Sequence, residues 1–374
     1  MARRRSEPVR RVLILTPSLT AIGGVQTYSC QLIEAASAVL GAQSVKVVSI
    51  LADPADTAAP PALPVSAKLR FFLAAASSAL TFRPNVIIVT HVGIAPVARL
   101  LHKVARCSYW LVLHGIEVWD ALPPGKLSAL RDADAFIVLC RFPLEWASAR
   151  HSLAPRAIFV LPPYFAIPAA ENHLPSRSVS HIVLTVGRLS ASERYKGHDL
   201  MLEAWPEIVK RVPEANYWIV GDGDDRARLE AKAAQLGIAG SVKFLGSLTG
   251  EKLKACYEQC ELFAMPAQSA PRASPPRGEG FGIVYVEALA HGKPVLVANN
   301  GAPAEFVRDG EFGLQVNPES AREISEGIAA LLTNPERARN MGAAGRAWVA
   351  SELNFERFCE RLRGAFDHSS QALL

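Results

Sequence analysis

Two glutamates eight positions apart, Glu279 and Glu287, bracket the stretch of the chain richest in chemical signal, residues 279–295, EGFGIVYVEALAHGKPV. Gly280 and Gly282 let backbone amides come close to a ligand. From Ile283 the pattern is that of a helix ending near His291 and Gly292, with Pro294 just beyond. A helix N-terminus behind a glycine turn offers bare N–H groups and a positive dipole end to an anion. Glu287, a little over one turn inside, can accept hydrogen bonds from vicinal hydroxyls such as those of a ribose. Glu279, just ahead of the turn, can accept from sugar hydroxyls. A glycine turn that merely caps a helix would read the same, so the decision rests on the other signals.

The second signal is residues 186–199, VGRLSASERYKGHD. A strand ends at Val186 and Gly187, which puts Arg188 at its carboxyl end. Lys196 and Gly197 follow a polar loop and precede a helix predicted over 198–210. A planar guanidinium fork and an ammonium point charge together suit a diphosphate. Isolated cations would read as solvated surface charge, but their places at strand and helix ends favour a ligand.

Two weaker signals lie in the first half. In TPSLTAIGGVQTY, 16–28, Gly23 and Gly24 stand between a first strand and a helix, a geometry suited to phosphate. The G-x-G-x-x-G dinucleotide fingerprint is absent there, and a plain strand-to-helix turn fits equally. In LVLHGIEVW, 111–119, His114 sits at a strand end beside Gly115, where a catalytic or substrate-binding role is expected.

Short apolar runs position these residues. They fall at 12–16, 45–51, 86–90, 109–114, 136–139 and 158–161, and again at 182–186, 217–220, 242–245, 262–265, 293–298 and 312–316. Such runs without alternation fit parallel strands buried on both faces, with crossover helices between. Residues 162–180, with four prolines, read as an interdomain linker. The expected organisation is therefore α/β: an N-terminal Rossmann-like domain over 1–170 and a second over 171–352. A C-terminal helix over 353–374 returns to the first domain. In open α/β sheets ligands bind at the carboxyl ends of the strands.

With 374 residues, the chain is long enough for two cores. A net charge of +5 is too mild and too dispersed to argue for nucleic acid. Arg3, Arg4, Arg5, Arg10 and Arg11 crowd the start of the chain, either as a solvated arm or as a membrane-attracted one. The six cysteines show no metal spacing and read as buried thiols in a reducing compartment. No apolar run reaches the length of a membrane span and no signal-peptide core follows the arginines, so the expectation is a cytoplasmic protein, peripheral on the inner membrane. Stretch 66–83 sets Lys68, Arg70 and Arg83 beside Phe71, Phe72, Leu73, Leu80 and Phe82. Stretch 99–106 adds Lys103, Leu100 and Leu101. This is the composition of an interfacial helix on an anionic membrane surface.

Together, EGFGIVYVEA, VGRL with KG, and HG resemble the retaining GT-B glycosyltransferases of family four, over nearly the whole chain. RYKGHD and HGIEVW are especially similar to enzymes of exopolysaccharide and O-antigen clusters. The resemblance implies two doubly wound domains facing across a cleft, 1–170 binding acceptor and 171–352 binding a nucleotide-sugar donor, GDP-mannose first and UDP-glucose next. It also implies a glycan or polyprenyl-diphosphate-linked acceptor and no cofactor or divalent metal. It implies that Arg188 and Lys196 hold the donor diphosphate and Glu287 the ribose. Glu279, with the backbone of Phe281 and Gly282, then holds the sugar, Gly24 lends an amide to the distal phosphate, and His114 lies near the transferred sugar. The remaining donor-site positions are Gly23, Gly187, Gly280 and Ile283. Catalysis would be front-side displacement with retention, resting on positioning and charge stabilisation. Residues 267–278, AQSAPRASPPRG, form either a lid with Arg272 or Arg277 on phosphate or a solvated insertion.

Rival readings are weaker. A GT-B epimerase or phosphorylase shares the pattern and differs in product. A two-lobed sugar-binding protein needs an export signal. A nicotinamide dehydrogenase needs the glycine fingerprint, and VGDGDDR at 220–226 puts Asp222, Asp224 and Asp225 where a pyrophosphate would be repelled.

Overall fold

The computed structural model describes residues 10–19, 23–51, 65–154, 156–168, 181–270, 273–274 and 276–367. Arg3, Arg4, Arg5, Arg272 and residues 169–180 of the expected linker lie outside that set. The chain divides into two compact units, one formed by Met1–Tyr164 with Phe355–Leu374 and the other by Phe165–Asn354.

The first unit runs β1 (Val12–Ser18), α1 (Gly24–Leu40), β2 (Val45–Leu51), α2 (Val65–Phe82), β3 (Val86–Val89), α3 (Ala95–Ala105), β4 (Ser108–Leu113), α4 (Pro124–Arg131), β5 (Ala135–Val138), α5 (Phe142–His151) and β6 (Ile158–Val160). Its sheet has the order β2-β1-β3-β4-β5-β6 and every pairing is parallel. Residues 12–15 and all of β3 are buried, because helices cover both faces; the continuous apolar runs follow from that.

The second unit runs β7 (Ile182–Val186), α6 (His198–Arg211), β8 (Asn216–Val220), α7 (Arg226–Gln235), β9 (Val242–Gly246), α8 (Gly250–Gln259), β10 (Leu262–Met265), α9 (Ile283–Ala290), β11 (Val295–Ala298), α10 (Ala302–Phe306), β12 (Gly313–Val316), α11 (Ala321–Leu332) and α12 (Pro335–Glu352). Its parallel sheet has the order β12-β11-β10-β7-β8-β9. The run expected at 293–298 begins two residues later, since Pro294 has no N–H to donate and the buried Lys293 ammonium is spent on the carbonyls of Glu258 and Cys260. Helix α13 (Phe355–Asp367) belongs to the first unit, where Phe358 packs edge-on against Tyr28 and Tyr164.

The apolar stretches 66–83 and 99–106 need one correction. Phe71 and Leu101 are buried in the core of the first unit, and Phe72 and Phe82 are half-buried. Leu73, Leu80 and Leu100 are exposed as expected, and Val65 and Leu69 on α2 and Val104 on α3 join them. A helix with one face on a sheet turns its opposite face outward along every turn, and the i, i+4, i+8 spacing of 65, 69 and 73 marks that outer face.

Candidate functional site

In the second unit the chain winds from β7 outward to β9, then crosses back to place β10 on the other side of β7. The loops leaving β7 and β10 therefore diverge and open a crevice at the carboxyl end of the sheet. Gly187 and Arg188 leave β7 into this crevice. The loop after β10 brings Glu279. A 3₁₀ turn over Ala191–Lys196 ends at Gly197, whose φ of 85° is left-handed. A Cβ on Gly197 would stand 2.7 Å from the Pro266 carbonyl oxygen, so only glycine lets the turn dock against the end of β10.

That docking sets Lys196 Nζ 3.0 Å from Glu279 Oε1, with the two side chains only 13% and 15% exposed. Lys196 Nζ is also 3.8 Å from Glu193 Oε2. The other oxygen of Glu193 pairs with the guanidinium of Arg188, which is 77% exposed. Tyr195 is buried beside them, and its phenol is pushed up by burial first and then by Glu279 and Glu193. The result is a shielded ammonium flanked by two carboxylates, with a guanidinium reaching solvent at its side.

A second network holds the turn. Arg194 forks onto Asp225; Arg228 spans Asp225 and Asp199; Lys232 joins Asp199 to Glu203. The Arg228 hydrogen bonds hold Asp199 down at about 2 and push Asp225 lower still. Asp224 accepts from the Ala191 N–H and Asp222 from Gly223 N–H. The three aspartates of VGDGDDR thus fasten loops and cations. His198, first residue of α6, is buried; burial first and then Lys196 lower it to about 4 and hold it neutral.

Gly282 caps α9 with φ 90°, and a Cβ there would lie 2.5 Å from the Tyr285 ring. Tyr285 is locked by donating to the Met265 carbonyl at 2.6 Å. The side chain of Phe281 is buried in a stack with Phe306, 5.0 Å between centroids, so only its backbone faces a ligand. Ile283 opens α9, and Gly280 precedes it in the same turn. One turn on, Glu287 Oε2 accepts from the Tyr257 hydroxyl at 2.8 Å. Burial raises the Glu287 carboxyl, and that hydrogen bond partly offsets it. The Tyr257 ring stacks on His291 at 5.3 Å. Glu287, Tyr257, His291, Leu253 and Gly250 line a cavity of about 190 Å³.

Arg188, Lys196 and Glu279 are therefore brought together, with Glu287 on the adjoining helix. Gly23, Gly24 and His114 belong to the first unit. Gly23 caps α1 and Gly24 begins it at the carboxyl end of β1. His114 follows β4, and its Nε2 donates to the Thr90 carbonyl at 2.9 Å. Its backbone N–H donates to Glu117 at 2.7 Å and its ring stands edge-on to Tyr28. Sequence reading missed Glu193 and Tyr257. Glu193 had a signal, an acid three residues before Lys196; Tyr257 had none, since only folding sets α8 beside α9. Arg277 is exposed and its backbone pairs with Ala270, closing the 270–277 loop. Among the described residues no group of three or more His, Cys, Asp or Glu side chains could hold a metal.

Residues 168–348 match the family described as Glycosyl transferases group 1. Over 281 residues the chain is 33% identical to the GDP-mannose-dependent alpha-(1-6)-phosphatidylinositol monomannoside mannosyltransferase of Mycobacterium tuberculosis, covering 72% of each chain. A GDP-mannose-dependent monoacylated alpha-(1-6)-phosphatidylinositol monomannoside mannosyltransferase from Corynebacterium glutamicum is 37% identical over 167 residues, 45% of this chain and 42% of that one. Two solved structures share the fold. Anabaena HepE in complex with UDP has a TM-score of 0.74 at 19% identity, over 96% of this chain and 100% of that one. Sucrose-phosphate synthase from Thermosynechococcus elongatus has a TM-score of 0.74 at 22% identity, over 96% and 99%.

Proposed function

The chain belongs to the group 1 glycosyl transferases and has their GT-B fold, and from that premise we propose that it transfers mannose from GDP-mannose to a lipid-anchored glycan acceptor, with retention and without a divalent metal. The observation that carries the reading is the crevice at the carboxyl ends of β7 and β10, where Lys196 and Glu279 meet beside Arg188 and behind the N-terminus of α9. Lys196 and Arg188 neutralise the departing diphosphate, the service a divalent ion gives in metal-dependent transfer. Glu279 and the amides of Phe281 and Gly282 hold the sugar, Gly187 lets the diphosphate approach, and Glu287 takes the ribose. The cavity beside Glu287 and Tyr257 receives the nucleotide's outer end. In the first unit, the Nδ1 of His114, whose Nε2 is engaged by Thr90, is suited to accept a proton from an acceptor hydroxyl or to hold the sugar, and the amides at Gly23 and Gly24 to meet phosphate.

The choice of mannose and of GDP follows the mycobacterial and corynebacterial relatives, whose acceptors are phosphatidylinositol mannosides. The acceptor class has support in this chain too. Between Asp56 and Glu117 there is no acidic residue, while Lys68, Arg70 and Arg83 flank the exposed Leu69, Leu73 and Leu80. No helix of the described residues is long and apolar enough to cross a membrane. We place the protein on the cytoplasmic face of an anionic membrane, held by that face. The deciding experiment offers radiolabelled GDP-mannose and UDP-glucose in turn, with a membrane lipid extract as acceptor. Label entering the lipid fraction from GDP-mannose is expected. Label from UDP-glucose alone, or label remaining water-soluble, refutes the donor or the acceptor assignment respectively.

A further inference from the structure

Glu193 stands between the two cations of the crevice without a role in binding a donor. One oxygen accepts from Arg188 and the other lies 3.8 Å from Lys196 Nζ. The side chain is only 14% exposed, and Oε2 has no hydrogen-bond partner among the described residues. A shielded carboxylate oxygen without a donor is unfavourable. A negative charge beside cations that must receive a diphosphate also opposes that ligand. Glutamine would fill the same space without the negative charge, so the charge itself calls for an explanation.

We propose that Glu193 is a positioning residue that receives Lys196 from Glu279 when a donor sugar engages Glu279, and that keeps Arg188 and Lys196 aimed at one diphosphate. The inference rests on the assignment of Lys196 and Glu279 to donor binding. Lys196 is held at 3.0 Å by Glu279, which comes from a segment 83 residues away. A sugar hydroxyl that donates to Glu279 competes with Lys196 for the same oxygen. Glu193 is three residues from Lys196, at the kink of the same short 3₁₀ segment, and its Oε2 already lies 3.8 Å from Nζ without a hydrogen bond, so it is the nearest acceptor for Nζ as it leaves Glu279. Lys196 then keeps a counter-charge while its remaining N–H groups turn to phosphate, and Arg188 is held on the other oxygen of the same carboxylate. No covalent bond changes; one ion pair is exchanged for another.

Such a residue weakens ground-state nucleotide binding and favours the transition state, a signature opposite to that of a structural support. The test measures GDP and UDP binding by calorimetry, the rate of GDP release from GDP-mannose with lipid extract, and Tm, for the wild type, E193Q, E193D and K196A. Expected for E193Q are GDP binding at least as tight as in the wild type, kcat lower by about tenfold with KM not raised, and an unchanged Tm. Partial recovery of kcat is expected in E193D. Weaker GDP binding in E193Q together with a lower Tm, or an unchanged kcat, overturns the inference. The two assignments separate cleanly. If K196A binds nucleotide as the wild type does, the donor site itself is misplaced; if K196A loses binding while E193Q turns over normally, only the role of Glu193 falls.

Discussion

Lys196 and Glu279 are 83 residues apart in sequence and 3.0 Å apart at Nζ and Oε1, each on its own loop at the carboxyl end of one sheet. Their meeting yields the first prediction. K196A and E279Q each lower kcat/KM by about 10²–10³-fold, the loss typical of one group that stabilises developing charge. Tm holds, because both residues lie on loops above the core. The double variant loses less than the product of the two, since each single change already breaks their contact. Steady-state transfer with melting curves checks this, and wild-type turnover in either single variant removes the site.

Glu287 must be ionised to accept from two ribose hydroxyls, and burial raises its carboxyl above the ordinary 4.5. GDP affinity is therefore expected to be flat near neutral pH and to fall as pH drops through an acid range lying above 4.5. Y257F removes the hydrogen bond that partly offsets burial, so it moves that fall to higher pH. E287A weakens GDP binding by about 1.5–3 kcal/mol, the worth of hydrogen bonds to a charged group. Calorimetry across pH reads all three, and a pH-independent affinity contradicts the ribose role.

Acid should loosen the turn that carries Lys196. Asp199 is held at about 2 against an ordinary 3.8. Its stabilisation is complete above the ordinary value and is lost as pH falls from about 4 toward 2. Asp225, depressed further by the same arginine, is lost last. D225A leaves Arg194 and Arg228 short of a partner and destabilises by roughly 2 kcal/mol, less than a fully buried pair because both arginines reach solvent. Denaturant melts at neutral pH measure it; an unchanged midpoint means the network is not structural.

With Arg188 and Lys196 supplying the positive charge at the diphosphate, transfer is expected to continue in excess chelator. Activity that disappears with chelator and returns with magnesium or manganese reverses this expectation.

Vesicles test the outer face of α2 and α3. Sedimentation with anionic vesicles should exceed that with neutral ones and weaken in high salt. Replacing Lys68, Arg70 and Arg83 by glutamine costs about 1 kcal/mol of binding for each cation removed. Serine at Leu69 and Leu73 should lower binding at every salt concentration, because apolar insertion is not screened. Equal binding to both vesicle types, or none to either, excludes the membrane face.

Local pattern alone determined the two α/β halves, the helix from Ile283 with Glu287 one turn inside it, and the Arg188 and Lys196 pair at strand and helix ends. Each depends on short-range rules: apolar runs buried on both faces of parallel strands, and glycines where the backbone turns left-handed. Long-range packing decided the rest. Phe71 and Leu101 point inward while Leu69, Leu73 and Leu100 point out, because composition does not state which face of a helix meets the sheet. Crossing from β9 back to β10 brought Glu279 onto Lys196. Docking of α8 on α9 gave Glu287 its tyrosine. Glu193 was visible as a letter three residues before Lys196, but that it is shielded, shared between two cations and left with one unpartnered oxygen is a property of the folded turn. Charge compensation between residues far apart in sequence acts over a few ångströms of space, and only the tertiary structure supplies those distances.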